Sequence, residues 1–433
     1  MNLPISVRSP DSTARLVHPV KPRRGLALAG PAFIAAVAYI DPGNVATNIS
    51  AGAKYGYLLL WVVVAANAMA MLVQYLSAKL GIATGRNLPE LCRERCSRPV
   101  RLGLWLEAEL IVIMTDLAEI IGGAVALGLL FGLPLPVGGV ITGIGLLLIL
   151  ALRVRDRAVF PAVVMGLLAV VALAFAYQAL RLPVAGDGMA AGLVPGFGGT
   201  ESVLLAAGIV GATVMPHAIY LHSALTQDLP GGQPAAGRPS AGRPGAGAAR
   251  RRALRATRWD VVVAMSLAGF INITILVAGT ALAASDGETL EGAHEAFGML
   301  SGPAIGAAFA VGLLASGLAS ACVGVYTGQI VMQGFVKRRI PLWVRRVVSM
   351  AVPLVLLSAG LDPMLALVLS QVALSFGIPF ALVPLLLLTR DRGVMGDMVN
   401  RRLITVLVTV VATLIVALNL FMIVTLLKEA VAP

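Results

Sequence analysis

Charge is what this 433-residue chain has least of: Asp, Glu, Lys and Arg make up 12% of it, against 58% hydrophobic residues and a mean hydropathy of +0.90. A soluble globule of this composition would have an oily surface, so the soluble classes are excluded and the chain reads as an integral membrane protein. Cysteine is nearly absent. Cys92 and Cys96 fall in a basic loop, "LCRERCSRP", and Cys322 lies inside an apolar run; with no His or third Cys beside them, all three read as structural or incidental. No alternating apolar and polar period competes with helix, which excludes a spanning β-barrel. Neither "GDG" nor "GQPAAG" ends in the Gly-Lys-Ser/Thr of a P-loop, so nothing points to ATP as an energy source or to an enzyme. The first 25 residues are polar and basic and run directly into a spanning segment, so no cleavable signal peptide is expected.

What the chain does have is long apolar runs. Eleven are long enough, at about 17 residues or more, to span as helices. They lie near 26–53, 57–81, 103–131, 137–153, 158–181, 201–226, 259–284, 296–335, 342–360, 364–389 and 403–427. The eighth is too long for one span and is expected to open with a loop or amphipathic turn before Gly306. Basic residues occupy every second loop: Arg8 to Arg24, Arg86 to Arg101, Arg153 to Arg157, Arg238 to Arg258, Lys337 to Arg346 and Arg390 to Arg402. The positive-inside rule then places the N-terminus in the cytoplasm and, after eleven crossings of the inner (cytoplasmic) membrane, the C-terminus outside. Within 227–258 the Gly/Pro/Ala/Arg-rich "GGQPAAGRPSAGRPGAGAARRRALRATR" has nothing to build a core with and is expected to be a flexible cytoplasmic linker.

Two spans are interrupted. "YIDPGNVATN" (39–48) puts an aspartate and a Pro-Gly pair into the first, and Met215-Pro216-His217 breaks the sixth. Proline removes a backbone donor, and unwound backbone at membrane depth survives only where it is buried in protein or lines a cavity. An Asp41 inside the membrane costs about 2.5–3.5 kcal/mol on insertion scales, which marks it as functional. Breaks five spans apart predict an all-α fold of five-plus-five inverted repeats with the eleventh span appended, and a substrate site where the breaks meet. The domains are then a tail (1–25), a first repeat (26–181), an outer loop (182–200), a second repeat (201–390) and helix 11 with the C-terminus (391–433).

Asp41 offers a hard anionic oxygen, Asn44 a neutral carbonyl oxygen and Met215 a soft thioether. That mixture favours transition metals over calcium and magnesium, which want oxygen alone. In the third span Glu109, Asp116 and Glu119 fall within about 80° of one another on a helix, a stripe unsuited to lipid and suited to a proton relay or a static ion network. Arg345 and Arg346 are their candidate partners. His217 and His222 are about 140° apart and cannot share a face as a zinc pair would. His217, adjoining the break, is a candidate for pH dependence or gating, and His222 for packing or hydrogen bonding. Asn67 and Asn272 are candidate gate or helix-linking amides.

The stretches "DPGN", "GATVMPHAIYLHSALTQ", "GQIVMQGF", "ANAMAMLVQYLSAKLGIATGRNLPE" and "TDLAEIIGGAVALGLLFG" resemble the natural resistance-associated macrophage protein (Nramp) family of proton-coupled manganese and iron transporters. The resemblance runs from about Gly30 to Met395. It implies the LeuT-type inverted repeat with discontinuous helices 1 and 6. It also implies that Asp41, Asn44 and Met215 are metal ligands, joined by the main-chain carbonyls of Ala38 and Ala212 and by Gln371. The same resemblance implies a proton pathway through the acidic and arginine positions, distinct from the metal route. Relatives that carry magnesium or aluminium lack the methionine.

The reading is therefore secondary-active, proton-coupled import of Mn2+ or Fe2+, with Cd2+ and Co2+ as mimics, by alternating access. Protons enter through Asp41 and the third-span carboxylates. The expected partners are the metal ions, protons and the lipid bilayer; no cofactor, nucleic acid or obligate protein partner is expected. The rivals are a LeuT-type transporter of an organic solute, which predicts a helix N-terminus cradling a carboxylate, and a non-transporting receptor or scaffold.

Overall fold

Helix is the only structure that satisfies backbone polar groups within one segment in lipid, and every regular element among the described residues is helical. The computed structural model describes residues 30–155, 159–182, 188–227, 229, 246–283, 289–337 and 341–431. The tail at 1–25 and the Gly/Pro-rich first part of the linker lie outside these. From the N-terminal side the elements are α1 (Pro31–Val37), α2 (Pro42–Tyr55), α3 (Leu60–Thr84), α4 (Leu88–Arg95), α5 (Arg98–Phe131), α6 (Leu135–Arg155) and α7 (Val159–Arg181). After them come α8 (Thr200–Thr213), α9 (Pro216–Thr226), α10 (Ala246–Thr280), α11 (Leu290–Ser301), α12 (Pro303–Val336), α13 (Leu342–Ser358) and α14 (Pro363–Arg390). The short α15 (Arg392–Met395) and the long α16 (Arg402–Val431) follow.

Eight helical stretches, counting α8 and α9 as one, are long and apolar enough to cross a membrane, and Leu135–Ala151 of α6 is a shorter apolar helix. The broken pair α1–α2 and the 17-residue α13 complete the expected eleven. Apolar side chains face outward where lipid would be, as Leu403, Val410 and Leu414 do on α16 and Leu173 and Leu180 on α7. The buried centre is built from α2, α8 and α9, which flank the breaks, from α5, which carries the acidic stripe, and from α12, which packs against α5.

Three expectations are corrected. The loop "LCRERCSRP" is largely α4, opened by a reciprocal cap: Asn87 Oδ1 accepts from the Glu90 amide (3.0 Å) and Glu90 Oε2 accepts from the Asn87 amide (3.2 Å). The linker ends early, because residues 246–258 already form the first turns of α10; past Gly247 that stretch has neither Gly nor Pro and is rich in Ala and Arg, strong helix formers. The eighth run splits before Gly306 as expected, but its front part is a helix rather than a loop. α11 starts at Leu290, its N-terminus capped by Thr289 Oγ1, which accepts from the Gly292 amide (3.0 Å). Gly302, at φ 99°, then turns the chain into Pro303 of α12.

The crossing of α2 and α10 depends on two glycines. A Cβ on Gly52 would lie 2.1 Å from the Leu276 carbonyl oxygen and 2.9 Å from the Gly279 backbone. Gly52→Leu is expected to cost about 1–3 kcal/mol of overpacking, read as a lower melting temperature in detergent. An unchanged melting temperature would mean that the two helices are not in this contact.

Candidate functional site

The first break is short. From Ala38 to Ile40 each amide bonds three residues back, to Ala35, Ala36 and Val37, and the chain then turns extended at Asp41. Proline at position i has no N–H for the carbonyl at i−4. Pro42 therefore leaves the Ala38 carbonyl without its helical donor, and Pro216 does the same to the Ala212 carbonyl across the second break. Asp41 is the N-cap of α2, its Oδ1 accepting from the Asn44 amide at 2.8 Å. Asn44 donates its Nδ2 to the Tyr39 carbonyl (2.5 Å), and Asn48 Nδ2 donates to Asn44 Oδ1 (2.5 Å). Ser316 Oγ donates to the Ile40 carbonyl at 2.7 Å. Asn272, expected as a gate or linking amide, donates to the Tyr39 carbonyl at 3.4 Å and so sits on the break itself.

In the second break Met215 is the residue before α9, with Pro216 at its first position, and its side chain is fully buried. α1 packs against α9 and α2 against α8, so the two breaks are brought together. Gln371 of α14 reaches the same place: its Nε2 donates to Asp41 Oδ2 at 3.0 Å. Its close approach depends on small residues, since a Cβ on Gly43 would strike the Gln371 amide and one on Gly211 would lie 2.0 Å from the Gln371 carbonyl. Asp41, Asn44, Met215, Ala38, Ala212 and Gln371 are all buried. Several acceptors beside them have no partner: Gln371 Oε1, Asn48 Oδ1, Asn272 Oδ1 and Thr213 Oγ1. Buried acceptors in excess of donors are an arrangement that suits a cation.

The α5 carboxylates meet the expected arginines. Arg345 makes a bidentate pair with Glu109 (2.5 and 3.3 Å) and donates to the Gly328 carbonyl at 2.9 Å. Arg346, fully buried, pairs with Asp116 at 2.5 Å and lies 3.6 Å from Glu119. Ser320 Oγ donates to Glu119 Oε1 at 3.0 Å. Two carboxylates against one guanidinium give this buried group one more negative than positive charge in their ordinary forms.

His217 Nδ1 lies 3.5 Å from Thr115 Oγ1, and its Nε2 has no partner. His222 is elsewhere: its Nδ1 is 2.7 Å from Gln74 Oε1, and Gln74 Nε2 donates to the Tyr39 hydroxyl. Asn67 faces α10, where a Cβ on Gly269 would strike its amide, one turn before Asn272. Sequence reasoning missed Gln74, Asn48, Ser316 and Ser320. A buried amide in mid-span was the available signal for Gln74; the serines gave none.

The family model described as natural resistance-associated macrophage protein-like matches residues 32–425. The chain is 50% identical over 432 residues to the divalent metal cation transporter MntH of Bacillus subtilis, covering 98% of this chain and 99% of that one. The chain belongs to the Nramp family. A second MntH, from Mycobacterium tuberculosis, is 50% identical to this Nramp chain over 399 residues, 92% of this chain and 91% of the relative. A crystal structure of a mutant Eremococcus coleocola manganese transporter matches with a TM-score of 0.78 and 33% identity, over 92% of this chain and 86% of that one. Mhp1, a nucleobase-cation-symport-1 family transporter, matches at TM-score 0.54 and 18% identity over 93% of both chains. That likeness is one of fold alone.

Arg346→Ala would leave the Asp116 and Glu119 carboxylates buried without their cation, at a cost of about 3–5 kcal/mol. Thermal unfolding in detergent should show this as a large fall in melting temperature at neutral pH. A melting temperature equal to that of the native chain would rule out the buried ion network.

Proposed function

We propose that this protein imports divalent transition metal ions, Mn2+ and Fe2+ with Cd2+ and Co2+ as mimics, across the cytoplasmic membrane by proton-coupled alternating access. One observation carries the reading. Two prolines, five spans apart, free the carbonyls of Ala38 and Ala212 beside a buried carboxylate and a buried thioether, at the place where the broken helices pack together. The ion's ligands are the Asp41 carboxylate, the Asn44 side-chain oxygen, the Met215 sulfur and the two freed carbonyls. Gln371 Oε1, unpartnered in this structure, turns toward the ion when Nε2 gives up Asp41. The MntH relatives and the manganese transporter named above support metal as the cargo.

The α5 carboxylates with Arg345 and Arg346 form the proton route, connected to the site where Glu119 of α5 comes within electrostatic reach of Asp41. Asp41, Asn44 and Met215 are all fully buried in this structure. Rocking of one repeat against the other opens the site first outward and then to the cytoplasm, where the arginine-rich loops lie. An organic-acid cargo fits poorly: the N-terminus of α2, the natural cradle for a substrate carboxylate, is already capped by the chain's own Asp41.

The test is manganese and cadmium uptake into proteoliposomes with internal pH followed. The native chain moves both ions and acidifies the lumen; no divalent uptake would overturn the reading. Met215→Ala is expected to lose discrimination against calcium and magnesium by about tenfold or more, the cost of one soft ligand of roughly 1.4 kcal/mol. Unchanged exclusion of both ions would remove the thioether from the account.

A further inference from the structure

The α5 helix carries a fourth carboxylate, on the half-buried Glu107, that takes no part in the arginine network. Glu107 is about 200° around the helix from Glu109, on the face shared with Ile111 and Thr115 at spacings of four residues. Both of its carboxyl oxygens are buried and neither has a hydrogen-bond partner. Among the described residues no cation pairs with it, while Glu109 two residues on is held by two bonds from Arg345.

The walls of this seam are α9, α14 and α4. From α14 comes Gly377, and a Cβ there would lie 2.7 Å from Glu107 Oε1 and 2.4 Å from Ile111 Cδ1, so the carboxyl occupies room that only glycine leaves. From α9 comes Tyr220, within electrostatic reach of Glu107 and of Cys92 on α4; its hydroxyl is buried and also has no partner. Tyr220 is three residues after His217 on the same face of α9. The Thr115–His217 contact at 3.5 Å therefore marks the end of the seam nearest the second break, and Glu107 with Tyr220 the end toward the arginine-rich loops. The titratable group facing Glu107 is thus Tyr220, a neutral donor in its ordinary form, with Cys92 beyond it on α4; the Gly377 wall of α14 carries no titratable side chain.

A carboxylate anion in apolar packing, with no donor on either oxygen, is far more costly to bury than the neutral acid. We propose that Glu107 is a proton-carrying carboxyl of the transport cycle, set on the α9 side of α5 and separate from the arginine-paired row. With the seam closed, the carboxyl holds its proton. When α9 parts from α5 and water enters from the cytoplasmic side, the O–H bond breaks, the proton passes to that water, and the carboxylate left behind is solvated. Closure of the seam returns a proton to it. This role rests on the proposed proton-coupled import for its place in the cycle, but the state of the carboxyl is testable without transport.

The experiment pairs infrared difference spectroscopy with flux. Native minus Glu107→Gln spectra of the full chain in lipid at neutral pH should show the C=O stretch of a protonated carboxyl, lost in the variant. A difference spectrum with carboxylate bands alone would overturn the proposal. In proteoliposomes, Glu107→Gln is expected to lower the number of protons entering per manganese ion and to flatten the pH dependence of uptake. An unchanged ratio and profile would reduce Glu107 to a packing residue. If neither chain moves manganese, import itself fails, while the infrared band still decides whether Glu107 holds a proton.

Discussion

A carbonyl oxygen in the membrane interior that has lost its helical donor must find another partner or be buried beside one, and the rest of this structure is arranged around two of them. Pro42 and Pro216 each remove the N–H that would have served the carbonyl four residues back. The freed groups are tolerated because the breaks lie inside the bundle, against α5, α12 and α14, and not against lipid. Local bonds then fix the shape of the first break. Asp41 caps α2, Asn44 and Asn272 hold the Tyr39 carbonyl, and Ser316 holds that of Ile40. What remains is a buried cluster rich in unpartnered acceptors, which suits a cation better than an anion or an apolar solute.

Small residues make that cluster accessible to the helix that completes it. Gln371 approaches Asp41 only because positions 43 and 211 are glycine, and Pro42 itself packs where Gly122 and Gly317 leave room. The same economy recurs where α12 passes the acidic stripe, with Gly324 facing Glu119 and Gly328 facing Arg345. Membrane helices gain little from apolar contact with each other, since lipid is as apolar as leucine, so close backbone approach and interhelical hydrogen bonds carry the packing. The polar machinery of the protein is thus also part of what holds its helices together.

Much of this was legible in the sequence because it is local. A proline in an apolar run marks a break wherever the run ends up, and the spacing of Glu109, Asp116 and Glu119 fixes their shared face before any neighbour is known. Even the arginine partners were foreseeable, since two adjacent arginines at the mouth of a span need carboxylates. Glu107 was not legible. Its distinction from Glu109 lies in what faces it, Gly377 and Tyr220 from segments more than a hundred residues away. The chain from His222 through Gln74 to Tyr39 was hidden for the same reason. The helices α4 and α11 were hidden for another: their caps, Asn87 and Thr289, sit in stretches whose charge reads as loop.

The central claim is that the two breaks form one site with sulfur in it. Its most direct measurement is X-ray absorption at the cadmium edge on the cadmium-bound protein. The account predicts a shell of oxygens with one sulfur scatterer, and the loss of that sulfur in Met215→Ala. A shell of oxygen and nitrogen alone in the native protein would contradict it.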